Sequence, residues 1–236
     1  KWRVLVAEAV EKSAPLTLIG RDADAWEERG RLMVQAGERH LDLPAPSLFG
    51  VHQFDNAGLA AVAMLTLGDP RIDEAAIARG VSSAVWPARF QRLTAGPLGD
   101  AARARGAVLW LDGGHNPHAG RALAESARRL LARDPRPLVL VSAMFARKDA
   151  VGFFAPFADL KPQVFATSFE SPNAAKAEEI AEAAGQAGLE AVIVGDAAEG
   201  VHRALEASGQ APHILICGGL HFAGDVLAMS PDTWPT

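Results

Sequence analysis

Leu111-Asp112-Gly113-Gly114-His115-Asn116-Pro117-His118-Ala119-Gly120 follows the apolar run Ala107-Val108-Leu109-Trp110 and precedes Arg121-Ala122-Leu123-Ala124-Glu125-Ser126-Ala127-Arg128-Arg129-Leu130-Leu131. The apolar run reads as a buried strand, and the segment after the loop spaces its apolar residues as a helix does. An acid, two glycines and a histidine therefore stand where a strand ends and a helix begins. In α/β folds ligands gather at that junction, because free helix N–H groups and the C-terminal edge of the sheet converge there. Asn116 is the expected helix N-cap, and Pro117 suits the first helical position, where a missing N–H is no loss. The loop is expected to aim Asp112 and His115 outward from a rigid base.

Working outward, the same rhythm repeats to the C-terminus. Residues 108–111, 138–144, 163–167, 191–194 and 213–217 are apolar strand candidates separated by Ala-, Leu-, Glu- and Arg-rich helices. That alternation predicts a mainly parallel, Rossmann-like sheet with helices on both faces. Before Trp86 the pattern is mixed. It predicts a helix over 4–12, a short strand over 16–20, a hairpin from 31–35 and 40–43, an alanine-rich helix over 52–67 and another from Asp73. The change of rhythm and the proline at 87 divide the chain into residues 1–86 and 87–236. Gly96-Pro97-Leu98-Gly99 is expected to form the tip of the connection from Arg89 to Asp112.

With 236 residues, 49% hydrophobic and 22% charged, the chain can bury an ordinary globular core. A net charge of -5 lacks the basic excess of a general nucleic-acid surface. Anionic ligands would then be met by local cations rather than by the overall field. The single cysteine, Cys217, excludes an intramolecular disulfide, fits a reducing cytoplasm and lies in an apolar run, as a buried structural thiol would. No apolar stretch reaches the length of a membrane span. Neither Gly-x-x-x-x-Gly-Lys-(Ser/Thr) nor Gly-x-Gly-x-x-Gly occurs, which removes the P-loop and weakens a nicotinamide or flavin reading.

Three segments in order carry a family resemblance: Gly50-Val51-His52-Gln53-Phe54-Asp55-Asn56-Ala57, Trp86-Pro87-Ala88-Arg89-Phe90-Gln91 and Asp112-Gly113-Gly114-His115-Asn116-Pro117. Together they resemble folylpolyglutamate synthase and dihydrofolate synthase, within the Mur ligase superfamily. The resemblance implies a C-terminal Rossmann-like domain at 87–236, preceded by a remnant of the central ATPase domain at 1–86. It also implies ATP as nucleotide, with Mg2+ held by residues of an N-terminal region not recognisable here. The substrates implied are L-glutamate and dihydropteroate or folates, in a cytoplasmic, monomeric enzyme without nucleic-acid or membrane partners. On this reading the chain is the C-terminal portion of a larger ligase or a truncated relative, expected to be inactive in ATP hydrolysis by itself.

Site residues follow position by position. Asp112 and His115 match a family acid and histidine that reach the nucleotide; the alternative for Asp112 is a turn capping the amides of Gly113 and Gly114. Arg89 matches an arginine that meets nucleotide phosphate, against the alternative of a surface ion pair. Asn56 matches an asparagine near adenine and lies one turn too far into its helix to be the cap, while His52 and Gln53 suit either substrate contact or capping. Lys148 matches a possible phosphate or glutamate contact, with a solvated helix start as its alternative. A metal site from Asp112, His115 and His118 is conceivable by spacing, but the family has none there, and no metal is assigned. Gly219, His221 and Asn173 depart from the family's usual serine, tyrosine and arginine. The rival readings are a peptidoglycan Mur ligase fragment and a non-catalytic nucleotide-binding module.

Overall fold

The computed structural model describes residues 2–207 and 209–234. They form two compact units, the first comprising residues up to Ser47 with His52–Ala84, the second Leu48–Val51 with Val85 onward.

In the first unit, α1 (Trp2–Glu11) precedes three antiparallel strands, β1 (Ala23–Glu28), β2 (Arg31–Ala36) and β3 (Arg39–Leu43), then α2 (His52–Leu67) and α3 (Glu74–Ser83). The hairpin register sets Leu32 opposite Leu43 and Val34 opposite Leu41. These four side chains are buried together with Ala61, Val62, Ile77 and Val81. Period-two alternation thus turns one face of the sheet onto the two helices. Asp73 caps α3 by accepting the Ala76 N–H at 2.7 Å. The strand expected over 16–20 is instead a turn, in which the Leu18 N–H donates to Asp22 Oδ2 at 2.9 Å and the Leu18 carbonyl accepts from Asp22 at 2.9 Å. The chain enters the sheet only at Ala23. Strand β1 reads Ala-Asp-Ala-Trp-Glu-Glu, with only its first residue buried, so its apolar periodicity is too faint to see.

The second unit runs β4 (Gln91–Leu93), α4 (Gly96–Ala104), β5 (Val108–Leu111), α5 (Pro117–Arg133), β6 (Leu138–Ser142), α6 (Ala150–Phe154), β7 (Gln163–Ala166), α7 (Ala177–Gln186), β8 (Ala191–Ile193), α8 (Ala197–Ala207), β9 (His213–Cys217) and α9 (Leu220–Ala228). Six strands line up as β4-β5-β9-β6-β7-β8. All neighbours are parallel except β4, which pairs antiparallel with β5. Leu109, Leu111, Val139, Val141, Ile214 and Ile216 face one core with α4, α8 and α9. Val108, Trp110, Leu138, Leu140, Leu215 and Cys217 face the other with α5, α6 and α7. Both faces being covered explains why the strands read as unbroken apolar runs. The mainly parallel α/β sheet expected from the alternation is present. Its antiparallel edge strand, β4, has no counterpart in the sequence pattern, because three residues carry no periodic signal. Gly96-Pro97-Leu98-Gly99 is also corrected: it is the start of α4, with proline in the first turn, rather than a loop tip.

Phe49, far back in sequence, belongs to this second unit, its ring 5.1 Å from Phe90 and 5.5 Å from Trp110. Aromatic pairs of this kind contribute about 0.5–1.5 kcal/mol each beyond area. Phe49→Ala is therefore expected to cost about 1–3 kcal/mol and lower the melting temperature by about 2–4 °C per kcal/mol. A melting curve that does not move would show the aromatic trio to be idle.

Candidate functional site

The C-terminal edge of the parallel sheet gathers the loops that follow β5, β6, β7, β8 and β9. Asp112, the first residue past β5, extends the ladder through its N–H to the Ile216 carbonyl at 2.9 Å. Its carboxylate is 4% exposed, not aimed outward as the sequence suggested. Oδ1 accepts the Gly114 N–H at 2.6 Å and Oδ2 accepts the Phe90 N–H at 2.7 Å. Burial raises the carboxyl to about 6, opposed by those two N–H donors and by the Arg89 charge. Asp112 is thus a buried clamp joining two loops.

The second loop is Ala88-Arg89-Phe90. The Gly113 N–H donates to the Ala88 carbonyl at 2.9 Å, and Arg89 Nη1 donates to that same carbonyl at 3.1 Å. Glycine at 113 leaves room for the Leu220 side chain and for Arg89 Nη1, which a β-carbon there would displace. His115 Nδ1 bonds the Gly113 carbonyl at 3.0 Å, which makes Nδ1 the protonated nitrogen and leaves Nε2 as an acceptor. Both Arg89 and His115 are half-buried. Asn116 then caps α5 by accepting the Ala119 N–H at 3.0 Å, with Pro117 opening the helix. A guanidinium, an imidazole acceptor and a helix N-terminus therefore stand around one glycine loop. Chemically this suits a phosphorylated ligand with hydroxyl or ring donors.

The structure brings Arg89, Asp112 and His115 together. Lys148 lies on the next loop, its N–H donating to the Phe145 carbonyl at 3.0 Å. It lines a groove of about 340 Å³ between α6 and α7 that also holds Glu179 and Glu182. His52, Gln53 and Asn56 form a polar chain at the start of α2 in the first unit. Gln53 Nε2 donates to His52 Nε2 at 3.0 Å, and Asn56 Nδ2 donates to Gln53 Oε1 at 3.0 Å. Gln53 is buried and Asn56 exposed.

The roles of several neighbouring residues are not legible in the sequence. Phe90 contributes a backbone N–H, and Gln91 a side-chain amide that accepts from Ala88; both stand in the Trp86–Gln91 segment, but nothing in it gives them these partners. His221 packs edge-on against Phe145 at 4.7 Å, with Phe169 5.1 Å from Phe145. Those rings come from three separate loops and helices. At the departing positions, the Asn173 carbonyl accepts from Ala146 at 3.0 Å, and Gly219 precedes α9 without a side-chain cap. Cys217 is buried, and its surroundings push the thiol far above its ordinary range, so it is not a nucleophile at neutral pH. Among the described residues no group of three or more His, Cys, Asp or Glu side chains could hold a metal ion. No helix among them is long and apolar enough to cross a membrane.

The chain belongs to the family described as Mur ligase, glutamate ligase domain, which matches residues 88–220. Its relatives narrow the comparison. It is 46% identical over 80 residues, 34% of this chain, to a probable bifunctional folylpolyglutamate synthase/dihydropteroate synthase of Halobacterium salinarum. It is 31% identical over 154 residues, 64% of this chain, to the dihydrofolate synthase/folylpolyglutamate synthase of Mycobacterium tuberculosis. A bifunctional folylpolyglutamate synthase/dihydrofolate synthase from Yersinia pestis, solved with AMPPNP and Mn ion, superposes with a TM-score of 0.76 at 25% identity over 96% of this chain. The chain spans 8% and 29% of the two curated relatives and 50% of the solved one.

Proposed function

We propose that this chain is the C-terminal part of a dihydrofolate synthase/folylpolyglutamate synthase. In that reaction ATP phosphorylates the carboxylate of dihydropteroate or a folate, releasing ADP, and the amine of L-glutamate displaces phosphate to form the amide. The observation that carries this reading is the strand-end loop Asp112–Gly113–Gly114–His115 with Arg89 held against it. The relatives' names and the nucleotide analogue in the solved relative support it.

On this reading Arg89 meets nucleotide phosphate, its planar donors matching phosphate oxygens. His115 offers Nε2 to a ribose hydroxyl or base donor. Asp112 serves the nucleotide by fixing both loops, and Asn56 offers its amide to the adenine edge. Lys148 in the second unit is a candidate contact for phosphate or substrate, and His52 and Gln53 in the first unit are separate candidates. Charge stabilisation and positioning, rather than a protein nucleophile, are what phosphoryl transfer asks of such residues. The described residues offer magnesium no cluster of ligands, so no step of this chain is assigned to it. Residues 1–86 correspond on this reading to a remnant of the central ATPase domain and 87–236 to the C-terminal domain of a cytoplasmic, monomeric enzyme. Without a P-loop the isolated chain is expected to form no ADP from ATP, glutamate and folate; glutamate-dependent turnover by the pure chain would contradict this.

His115→Ala tests the site directly. A hydrogen bond between neutral groups is worth roughly 0.5–1.5 kcal/mol, so AMPPNP affinity measured by calorimetry is expected to fall about 2–10-fold, with the melting temperature little changed. Undiminished affinity would remove His115 from the nucleotide site.

A further inference from the structure

Arg89 is presented by backbone that does not hold itself in place. Ala88 and Phe90, its two neighbours, have φ of +53° and +46°. Residues bearing a β-carbon avoid that left-handed region, and it persists only where surroundings over-determine it. Three hydrogen bonds do so here. Two come from the glycine loop: Phe90 N–H to Asp112 Oδ2 at 2.7 Å, and Gly113 N–H to the Ala88 carbonyl at 2.9 Å. The third is from Ala88 N–H to Gln91 Oε1 at 3.0 Å.

The other end of the Gln91 amide is engaged too. Nε2 donates to the Thr233 carbonyl at 2.7 Å, across 142 positions of sequence. Thr233 closes the short turn Pro231–Thr233 and is itself buried, its hydroxyl bonded at 2.6 Å to the Leu227 and Ser230 carbonyls. Its methyl group fills the space a β-carbon on Gly96 would need. A primary amide alone among side chains of this length supplies an acceptor for Ala88 and a donor for Thr233 together.

We propose that Gln91 is a positioning residue for Arg89, and that through it the turn Pro231–Thr233 braces the arginine loop. The inference rests on the reading of Arg89 as a phosphate contact, but the brace can be measured without nucleotide. Gln91→Glu keeps the acceptor for Ala88 and sets a carboxylate oxygen against the Thr233 carbonyl; Gln91→Leu removes both contacts.

Amide hydrogen exchange, followed by NMR on the purified chain, reads the loop. In Gln91→Leu the Ala88 amide is expected to exchange at least tenfold faster, while Val141 and Ile216 amides in the sheet keep their rates. Gln91→Glu should restore part of that protection. A titration with ADP reads the consequence: Gln91→Leu should weaken binding as much as Arg89→Ala does, and the double variant should bind no more weakly than either. Unchanged Ala88 exchange in Gln91→Leu, or additive losses in the double variant, would overturn the proposal. If the unaltered chain takes up no ADP, the nucleotide reading fails, and the exchange rates alone decide the brace.

Discussion

Asp112→Ala is expected to destabilise the second unit by about 2–5 kcal/mol at pH 5, with a smaller loss at pH 7. The variant leaves the buried Phe90 N–H without its acceptor, at roughly 1–3 kcal/mol, and the part-buried Gly114 N–H likewise at a lower cost. The pH dependence comes from the carboxyl itself. Its folded value of about 6 lies above the ordinary 3.8, so the folded state holds this proton more tightly than the unfolded chain. Stability supplied by the protonated form is therefore present at low pH and lost as pH rises toward and through 6. The alanine variant has no such group. The gap between the two proteins should narrow by about 2–3 kcal/mol from pH 4 to pH 7, since each tenfold difference in proton affinity is worth about 1.4 kcal/mol. Denaturant titrations of both proteins at pH 4, 5, 6 and 7 check this. A gap that stays constant would mean the carboxyl titrates normally and is not a buried clamp. Nucleotide affinity should fall as well, since both Arg89 and the glycine loop lose their anchor.

Gly218→Ala should be at least as damaging, at about 3–5 kcal/mol. Gly218 links β9 to α9 with φ of +126°, a region closed to other residues. A β-carbon there would also strike the Ala143 carbonyl and come 3.0 Å from Ser142 Oγ, both on the neighbouring strand's end. Backbone strain of roughly 1–3 kcal/mol and overpacking of similar size act together. Thermal melts should show a drop of about 6–20 °C, at about 2–4 °C per kcal/mol. A variant that melts with the unaltered protein would show that the β9–α9 junction can shift at little cost.

The sequence made the parallel core legible because its strands are buried on both faces. Val108–Leu111 and His213–Cys217 are continuous apolar runs that no surface element would carry. Asn116 and Pro117 announced the start of α5 through cap chemistry that is local in sequence. What escaped was non-local. Strand β4 exists through pairing with β5, and β1 through pairing with β2, while neither has a periodic pattern of its own. At the candidate site the sequence singled out Arg89, Asp112 and His115, and its alternative reading of Asp112 as a cap holds for the Gly114 amide, but the second loop that Asp112 grips was not legible. Whether a carboxylate faces solvent or clamps two loops depends on Phe90, 22 positions away. Likewise, Gln91 gains its role from a carbonyl near the other end of the chain.

Chemical-shift mapping tests the central claim most directly. The isotope-labelled chain is titrated with AMPPNP, and every backbone amide is followed. If Arg89 and the glycine loop form the nucleotide site, saturable shifts should concentrate at Phe90, Gly113, Gly114 and His115 and disappear in Arg89→Ala. Saturable shifts confined to other surfaces, or none at all, would contradict the account.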